Sequence, residues 1–226
     1  LAAQVERLAG WLGQRGIQRG DRVLVDLQNC PQLVIAHYAI LRVNAVVVPV
    51  NPMNKAAEIR HLIEDSGAVL AVTSADLCAE WLAAGMAAQD LLVTRLAEVL
   101  PGGRVGDEAR LPAGWADWLN ADIALPAGAV PWAEAMACSA APPVMTVGAD
   151  DLALLPYTSG TTGHPKGCMH KHRSLQHNVF AGSLWANANH EDVILGVVPM
   201  FHITGMVVVL HGTLACGAAL VLMPRW

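Results

Sequence analysis

The chain is poor in two classes of residue: charged side chains make up only 15% of its 226 residues, and aromatic ones only 5%. Its formal net charge is −5, so no overall basic excess favours binding to nucleic acid. Hydrophobic residues, by contrast, make up 54% of the chain. This composition is typical of parallel sheets covered by helices on both faces, and the length allows one large domain or two sub-domains.

Paired cysteines are also lacking. The five cysteines stand singly, and no two of them are separated by only two residues. An odd count without a spacing pattern argues against a disulfide framework and against a structural zinc site. We therefore expect reduced thiols and a cytoplasmic location. No signal peptide is visible, although the chain begins at Leu1 without an initiator methionine.

One stretch, residues 206–223, has almost the length and hydrophobicity of a membrane span. His211 lies near its middle, and Gly212 and Gly217 divide it. We predict a buried helix followed by a buried strand, and therefore no integral membrane span.

Hydrophobic periodicity predicts strands that alternate with helices along most of the chain. Asn29 is expected to cap the second helix, and Gly67 to end the third. The predicted strands are at about 20–28, 45–50, 68–74, 150–160, 192–198 and 218–224, and the predicted helices at about 1–16, 31–43, 55–67, 75–85, 170–186 and 205–215. This order predicts an α/β fold of βαβ units, with mostly parallel sheets flanked by helices.

A stretch rich in proline, glycine and alanine, at about 101–143, interrupts the alternation. We interpret it as a surface excursion that contains one or two short helices, and we assign it no chemistry. On this basis residues 1–146, including the excursion, form a first α/β region, and residues 147–226 form a second.

The stretch YTSGTTGHPKG, residues 157–167, follows a predicted strand and precedes a predicted helix. In open α/β sheets, ligands bind at this end of the strands. Glycines let backbone N–H groups approach one anion, hydroxyls add donors or a ligand for Mg²⁺, and a lysine adds a mobile positive charge. These residues are Thr158, Ser159, Gly160, Thr161, Thr162, Gly163, Lys166 and Gly167. The pattern indicates a loop that binds a polyphosphate.

Two familiar phosphate-binding motifs do not fit this loop. The Walker motif needs glycine directly before the lysine, but Pro165 precedes Lys166 and Gly167 follows it. The dinucleotide pattern GxGxxG is absent as well. An ordinary surface turn would leave the combination of strand, three glycines and lysine unexplained.

The loop resembles the signature of the adenylate-forming, AMP-binding enzymes, which include acyl-CoA synthetases, adenylation domains of peptide synthetases and firefly luciferase. Residues 16–52 and 63–72 are similar to the early region of that family. PMFHITG, residues 199–205, resembles the segment that lines the acid pocket, and residues 217–226 resemble the strand after it. The resemblance covers most of the chain and is closest to fatty-acyl or aryl-CoA ligases.

The resemblance implies a ligase of fatty acid metabolism that works in two steps. A carboxylate attacks the α-phosphorus of ATP to give an acyl-adenylate and pyrophosphate, and the thiol of coenzyme A then takes the acyl group. Loop residues 158–163, Lys166 and Gly167 would hold the β- and γ-phosphates, with Thr162 in contact with Mg²⁺. Lys166 is a catalytic candidate because it would stabilise the departing pyrophosphate.

Residues 199–205 supply the second group of candidates. By resemblance, His202 lies between the acid and the nucleotide and is the second catalytic candidate. Phe201, His202 and Gly205 would shape the acid pocket. Judged by its apolar neighbours alone, a histidine such as His202 is more often a hydrogen-bonded structural residue.

In this family a glutamate for Mg²⁺, an aspartate for the ribose and a lysine from a small C-terminal domain lie further along the chain. None is found before Trp226, so we expect the first part of a large N-terminal domain, inactive when isolated. An inactive nucleotide-binding module and an amino-acid adenylation domain stay open as alternatives. The implied partners are a small carboxylic acid, ATP and coenzyme A; the sequence specifies neither the acid nor the oligomeric state.

Overall fold

The computed structural model describes residues 1–106, 110–158 and 164–224. Its strands are β1 (Arg22–Asp26), β2 (Val46–Pro49), β3 (Leu70–Ser74), β4 (Leu91–Thr94), β5 (Val130–Pro131), β6 (Leu152–Leu154), β7 (His170–Lys171), β8 (Val193–Gly196) and β9 (Ala219–Leu222). Seven of them form one sheet in the order β5-β4-β3-β1-β2-β6-β7. All neighbours in it are parallel except β6 and β7.

Helices connect the strands. They are α1 (Ala2–Gln14), α2 (Pro31–Arg42), α3 (Ala56–Ser66), α4 (Cys78–Ala83), α5 (Trp115–Leu119), α6 (Trp132–Met136), α7 (His172–Trp185), a π-helix (Gly205–Gly212) and α8 (Thr213–Cys216), with 3₁₀ turns at Ala75–Leu77, Ala88–Asp90, Leu96–Val99 and Pro101–Gly103. The predicted α/β fold with a mostly parallel sheet is confirmed. Gly67 ends α3 in the left-handed conformation, φ 61°, as predicted.

Alternate residues of a strand point to opposite faces of the sheet, and both faces are covered here. Val23 and Val25 of β1 join the core that contains α1 and α2, whereas Leu24 joins the core that contains α3 and α4. On the α4 side, fully buried Trp81 donates its indole N–H to Oδ2 of Asp26 at 2.8 Å. This bond ties α4 to the carboxyl end of β1.

The prediction that Asn29 caps α2 is wrong. Cys30 precedes the helix, and no side chain caps its N-terminus. The Asn29 amide group instead donates to the carbonyl oxygens of Gly196 and Val198, both at 3.0 Å, and Oδ1 accepts the N–H of Met200 at 2.8 Å. These partners lie more than 160 residues away in sequence, which is why local pattern could not indicate them.

The interpretation of residues 101–143 as a surface excursion needs correction. The two short helices α5 and α6 do occur there, but β5 pairs with β4 and forms the edge of the main sheet. Trp132, the first residue of α6, is only 3% exposed because it packs into the core. Strand β4 itself was not predicted. From the other side, β6 and β7 of region 147–226 join the same sheet, and the division at residue 146 stays a prediction.

The stretch 206–223 contributes to the π-helix, α8 and β9; no helix in the described part of the chain is long and apolar enough to cross a membrane. Strand β9 pairs in parallel with β8 as a separate sheet. The prediction of a buried strand here is wrong in part. Leu220 and Leu222 pack against the core, but Val221 is 49% exposed.

Two buried histidines fasten the π-helix to α2. Nε2 of His37 lies 2.8 Å from Nε2 of His211, and the Tyr38 hydroxyl lies 2.9 Å from Nδ1 of His211. Burial lowers the pKa of both imidazoles, that of His211 to about 4. Both rings are therefore neutral at neutral pH, and a single N–H lies between the two facing nitrogens.

Candidate functional site

The predicted phosphate loop leaves the carboxyl end of β6 and returns before β7. We call residues 156–158 and 165–168 the loop neck. Tyr157 and Gly167 form an antiparallel bridge, Thr158 N–H donates to the Lys166 carbonyl at 3.0 Å, and Cys168 N–H donates to the Pro156 carbonyl at 2.8 Å. The neck therefore holds the two ends of the loop side by side.

Several predicted phosphate ligands lie outside the described residues. They are Ser159, Gly160, Thr161, Thr162 and Gly163, and Thr162 was also the predicted Mg²⁺ contact. The remaining three, Thr158, Lys166 and Gly167, lie together in the loop neck. Gly167 fills a narrow space, since a Cβ there would lie 2.9 Å from Cδ1 of Leu155.

Lys166 is exposed at the end of the loop. Its backbone N–H donates to Oγ1 of Thr158 at 3.3 Å, which orients the main chain at this residue. Within the described ranges its ammonium group forms no salt bridge. An exposed lysine ammonium group is suited to bind an anionic ligand.

A cleft of about 540 Å³ opens beside the loop neck. Thr158 of the neck lines it together with Phe201, His202 and Ile203. The structure thus brings together residues of the predicted phosphate loop and of the predicted acid pocket. These residues are more than 40 positions apart in the sequence. Gly205 does not line the cleft, and its place in the acid pocket stays a prediction.

Gly205 lies behind the cleft wall. It is buried, and a Cβ there would lie 2.1 Å from the carbonyl oxygen of Pro199. Asn29 binds the backbone of the same segment from Gly196 to Met200. These two contacts fix the chain just before Phe201 and His202, so the wall is set by the packing of its backbone.

Sequence reasoning missed the polar residues that also line the cleft. Asn51, Asn54 and Glu58 line the cleft from the segment after β2, and His170 lines it from β7. A signal was available: β2 and β6 are parallel neighbours, and the carboxyl ends of parallel strands meet at one edge of a sheet. The motif NPMN after β2 therefore belongs beside the loop after β6.

Tyr157 of the loop neck is turned toward α3. Its hydroxyl donates to Oδ2 of Asp65 at 2.6 Å. Burial and this carboxylate neighbour raise the pKa of Tyr157 above its ordinary value, so the phenol keeps its proton and its role as donor.

Asparagine, glutamate and threonine oxygens in the cleft are of the type that Mg²⁺ accepts. Even so, no group of three or more His, Cys, Asp or Glu in ranges 1–106, 110–158 and 164–224 is placed to hold a metal ion. The Glu58 carboxylate already accepts the backbone N–H of Lys55 at 2.8 Å. The described residues alone do not form a metal site.

A mostly parallel sheet, with a strand that leads into a glycine- and hydroxyl-rich loop beside a cleft, is an arrangement in which α/β domains bind ligands. The family model described as AMP-binding enzyme matches residues 1–226. The chain belongs to this family, and the resemblance of its loop is confirmed.

Curated relatives include CoA ligases for fatty and aryl acids. The chain is 29% identical over 227 residues to a long-chain-fatty-acid–CoA ligase of Bacillus subtilis, covering 97% of this chain and 40% of that protein. It is 33% identical over 231 residues to 4-coumarate–CoA ligase 2 of Oryza sativa subsp. japonica, covering 97% of this chain and 37% of that protein. The chain thus spans about 40% of the length of the curated relatives that it matches.

A solved structure shows the same fold. A long-chain-fatty-acid-CoA ligase from Archaeoglobus fulgidus superimposes with a TM-score of 0.75 at 26% identity, over 99% of this chain and 39% of that one. The βαβ arrangement predicted from the sequence is therefore the arrangement found in adenylate-forming enzymes of this type.

Proposed function

We propose that the protein containing this sequence is an acid–thiol ligase that activates a fatty or aryl carboxylic acid with ATP and transfers the acyl group to coenzyme A. The observation that carries the proposal is the shared cleft: Thr158 and Pro165 of the loop neck line it together with Phe201 and His202. Lys166 directly follows Pro165 in the neck, and its backbone N–H donates to Oγ1 of Thr158. Such a cleft suits a triphosphate and an acid bound next to each other.

In the first step, a carboxylate oxygen bonds to the α-phosphorus of ATP while the bond from that phosphorus to the β-phosphate oxygen breaks. Pyrophosphate leaves with the bonding electrons, and the acyl-adenylate remains. Lys166 would neutralise the charge that develops on the leaving group, and the N–H and hydroxyl groups of the loop would donate to its oxygens. The Mg²⁺ contact assigned to Thr162 by the family resemblance remains part of this proposal.

In the second step, the thiol sulfur of coenzyme A attacks the acyl carbon, AMP leaves with the electrons of the broken C–O bond, and the thiol proton passes to water. His202 lines the cleft, and its Nδ1 accepts the Thr204 N–H at 3.3 Å. By the family resemblance it would lie between the acid carboxylate and the nucleotide. In this proposal Nε2 of His202 would contact the substrate. Apolar Phe201 and Ile203 and the polar wall from Asn51 to Glu58 would separate the acyl chain from the phosphates.

The test is acid-dependent exchange of pyrophosphate into ATP, measured with this 226-residue chain and with the full reading frame, across fatty, aryl and amino acids. We expect exchange by the longer protein with fatty or aryl acids. Exchange with amino acids alone would make the protein an amino-acid adenylating enzyme. If the full-length protein binds ATP but catalyses no exchange with any acid, the proposal is contradicted and the protein is a nucleotide-binding module.

Lys166→Met is expected to lower the exchange rate by about a hundredfold, because it removes a cationic donor from the leaving group. Lys171→Met is the matched control, since it removes the same charge from a residue that pairs with Asp150 and lies outside the loop neck. Initial rates at saturating ATP measure both. Equal rates for the two variants would exclude Lys166 from the reaction.

A further inference from the structure

One helix, α3, holds the loop neck at both of its ends. On the entering side, the Tyr157 hydroxyl donates to Oδ2 of Asp65 at 2.6 Å. On the returning side, Nε2 of His61 lies 2.9 Å from the carbonyl oxygen of Pro165, the residue before Lys166. A carbonyl oxygen can only accept, so Nε2 of His61 carries the proton.

His61 and Asp65 are one helical turn apart and therefore lie on the same face of α3. Their hydrogen bonds reach different ends of the neck, and the His61 ring also lies edge-on to the Tyr157 ring, with centroids 6.1 Å apart. The bonds within the neck, between Thr158 and Lys166 and between Cys168 and Pro156, join the two ends to each other. The hydrogen bonds of His61 and Asp65 link these two ends to α3.

The helix is a suitable support because it is itself fixed to the sheet. Ile59 and Leu62 are buried in the core on the α3 side. The guanidinium of Arg22, at the start of β1, donates to the carbonyl oxygens of Ser66 at 2.6 Å and Gly67 at 2.9 Å. A position set by α3 is therefore a position relative to the central strands.

We propose that His61 and Asp65 are positioning residues, which hold the loop neck on α3 through Pro165 and Tyr157 and so place Lys166 relative to the triphosphate. This inference rests on the proposed function, because it assigns the ligand of Lys166 to ATP. The long side chain of a lysine does not fix its own position, so the position of the ammonium group depends on the backbone that carries it. A small shift of that backbone therefore reduces the contact of the ammonium group with a transition state.

The variants are His61→Ala and Asp65→Ala in the full-length protein. Each removes one hydrogen bond of the neck, and we expect kcat/KM for ATP to fall about tenfold while KM for the acid stays within about twofold. His61→Gln should restore most of the loss, because the glutamine amide can donate to the same carbonyl oxygen. Glu64→Ala is the matched control: this acidic neighbour on α3 is exposed.

A second readout does not need turnover. The Thr158 and Cys168 amides donate within the neck, so their hydrogen exchange reports on its order. We expect faster exchange of both in His61→Ala and Asp65→Ala, and wild-type rates in Glu64→Ala. An unchanged kcat/KM for ATP overturns the proposal, and so does a loss that follows the melting temperature and is not restored by glutamine.

The two levels of inference can fail separately. If the wild-type protein catalyses no exchange with any acid, the proposed function fails, and amide exchange alone decides on the two residues. Wild-type rates at Thr158 and Cys168 in both alanine variants would then overturn the positioning role, and acceleration would support it.

Discussion

At the scale of single residues, Asp26 is a carboxylic acid enclosed in the core, with 2% of its surface exposed. Oδ2 accepts the indole N–H of Trp81, and Oδ1 has no partner within the described ranges. Burial raises the pKa of Asp26 to about 7, although the bond from Trp81 acts in the opposite direction. The native state therefore keeps a proton that the unfolded chain releases near about pH 4.

This carboxyl group makes the stability of the fold depend on pH. Because the native pKa is raised, its favourable contribution is complete below about pH 4 and is lost as the pH rises to about 7. Asp26→Asn keeps an acceptor for Trp81 but cannot ionise. We expect it to gain up to about 4 kcal/mol in unfolding free energy relative to wild type between about pH 4 and pH 8. Urea unfolding across this range measures the difference, and parallel curves for the two proteins would contradict it.

At the scale of elements, the π-helix begins and ends with glycine, but the two glycines have different surroundings. A Cβ at Gly205 would lie 2.1 Å from the Pro199 carbonyl oxygen, whereas at Gly212 the nearest atom, the Val207 carbonyl oxygen, is 3.6 Å away. Only the first glycine is required by packing. It lets the start of the helix lie against the segment that leads to His202.

We expect Gly205→Ala to destabilise the fold by about 3 kcal/mol and to reduce activity, because the methyl group must push the backbone of residue 199 and with it the cleft wall. Gly212→Ala should change stability by less than about 1 kcal/mol, and toward greater stability, because alanine is the better helix former. Thermal unfolding of both variants measures the contrast. Equal midpoints would show that the close contact at Gly205 can relax.

The elements that could be predicted from the sequence are those whose pattern lies within the element itself. The valine run of β2 and the apolar stripe of α3, ended by Gly67, depend on nearby residues only. Strand β5 has two residues, and only its partner β4 makes it a strand. Asn29 failed as a helix cap for the same reason, since its partners lie in the segment between the small sheet and the π-helix.

At the scale of the whole molecule, the candidate site could be predicted only in the part that is continuous in sequence. The composition of residues 157–167 predicts a phosphate-binding loop without any knowledge of the fold. The wall formed by Asn51, Asn54 and Glu58 depends on the position of β2 beside β6, which requires the strand order. The contact between His61 and Pro165 also spans 104 residues, and no spacing rule indicates it.

The small sheet leaves apolar side chains uncovered. Val193 and Leu195 of β8 are 67% and 53% exposed, and Val221 of β9 is 49% exposed. Nearby on the chain, Trp185 at the end of α7 is 91% exposed. A contiguous apolar surface on an open strand pair favours association with other chains.

We therefore expect the 226-residue chain to self-associate at micromolar concentration when it is produced alone. Val193→Lys should weaken this association, because it places a charge on the exposed face of β8. Val144→Lys is the control, since Val144 is 80% exposed but lies outside the small sheet. Light scattering after size-exclusion chromatography gives the molar mass of the wild-type chain and of both variants. A wild-type chain that is monomeric at every concentration tested would contradict the prediction.

The hydrogen bond between Trp81 and Asp26 also makes tryptophan fluorescence a probe of the Asp26 carboxyl group. A protonated carboxyl group quenches the fluorescence of an adjacent indole more strongly than a carboxylate does. Emission from Trp81 should therefore brighten as Asp26 ionises near about pH 7, while the fold stays intact. Seven tryptophans share the spectrum, and subtracting the titration of Asp26→Asn isolates this one. The difference in emission would then measure the ionisation of Asp26 inside the folded protein.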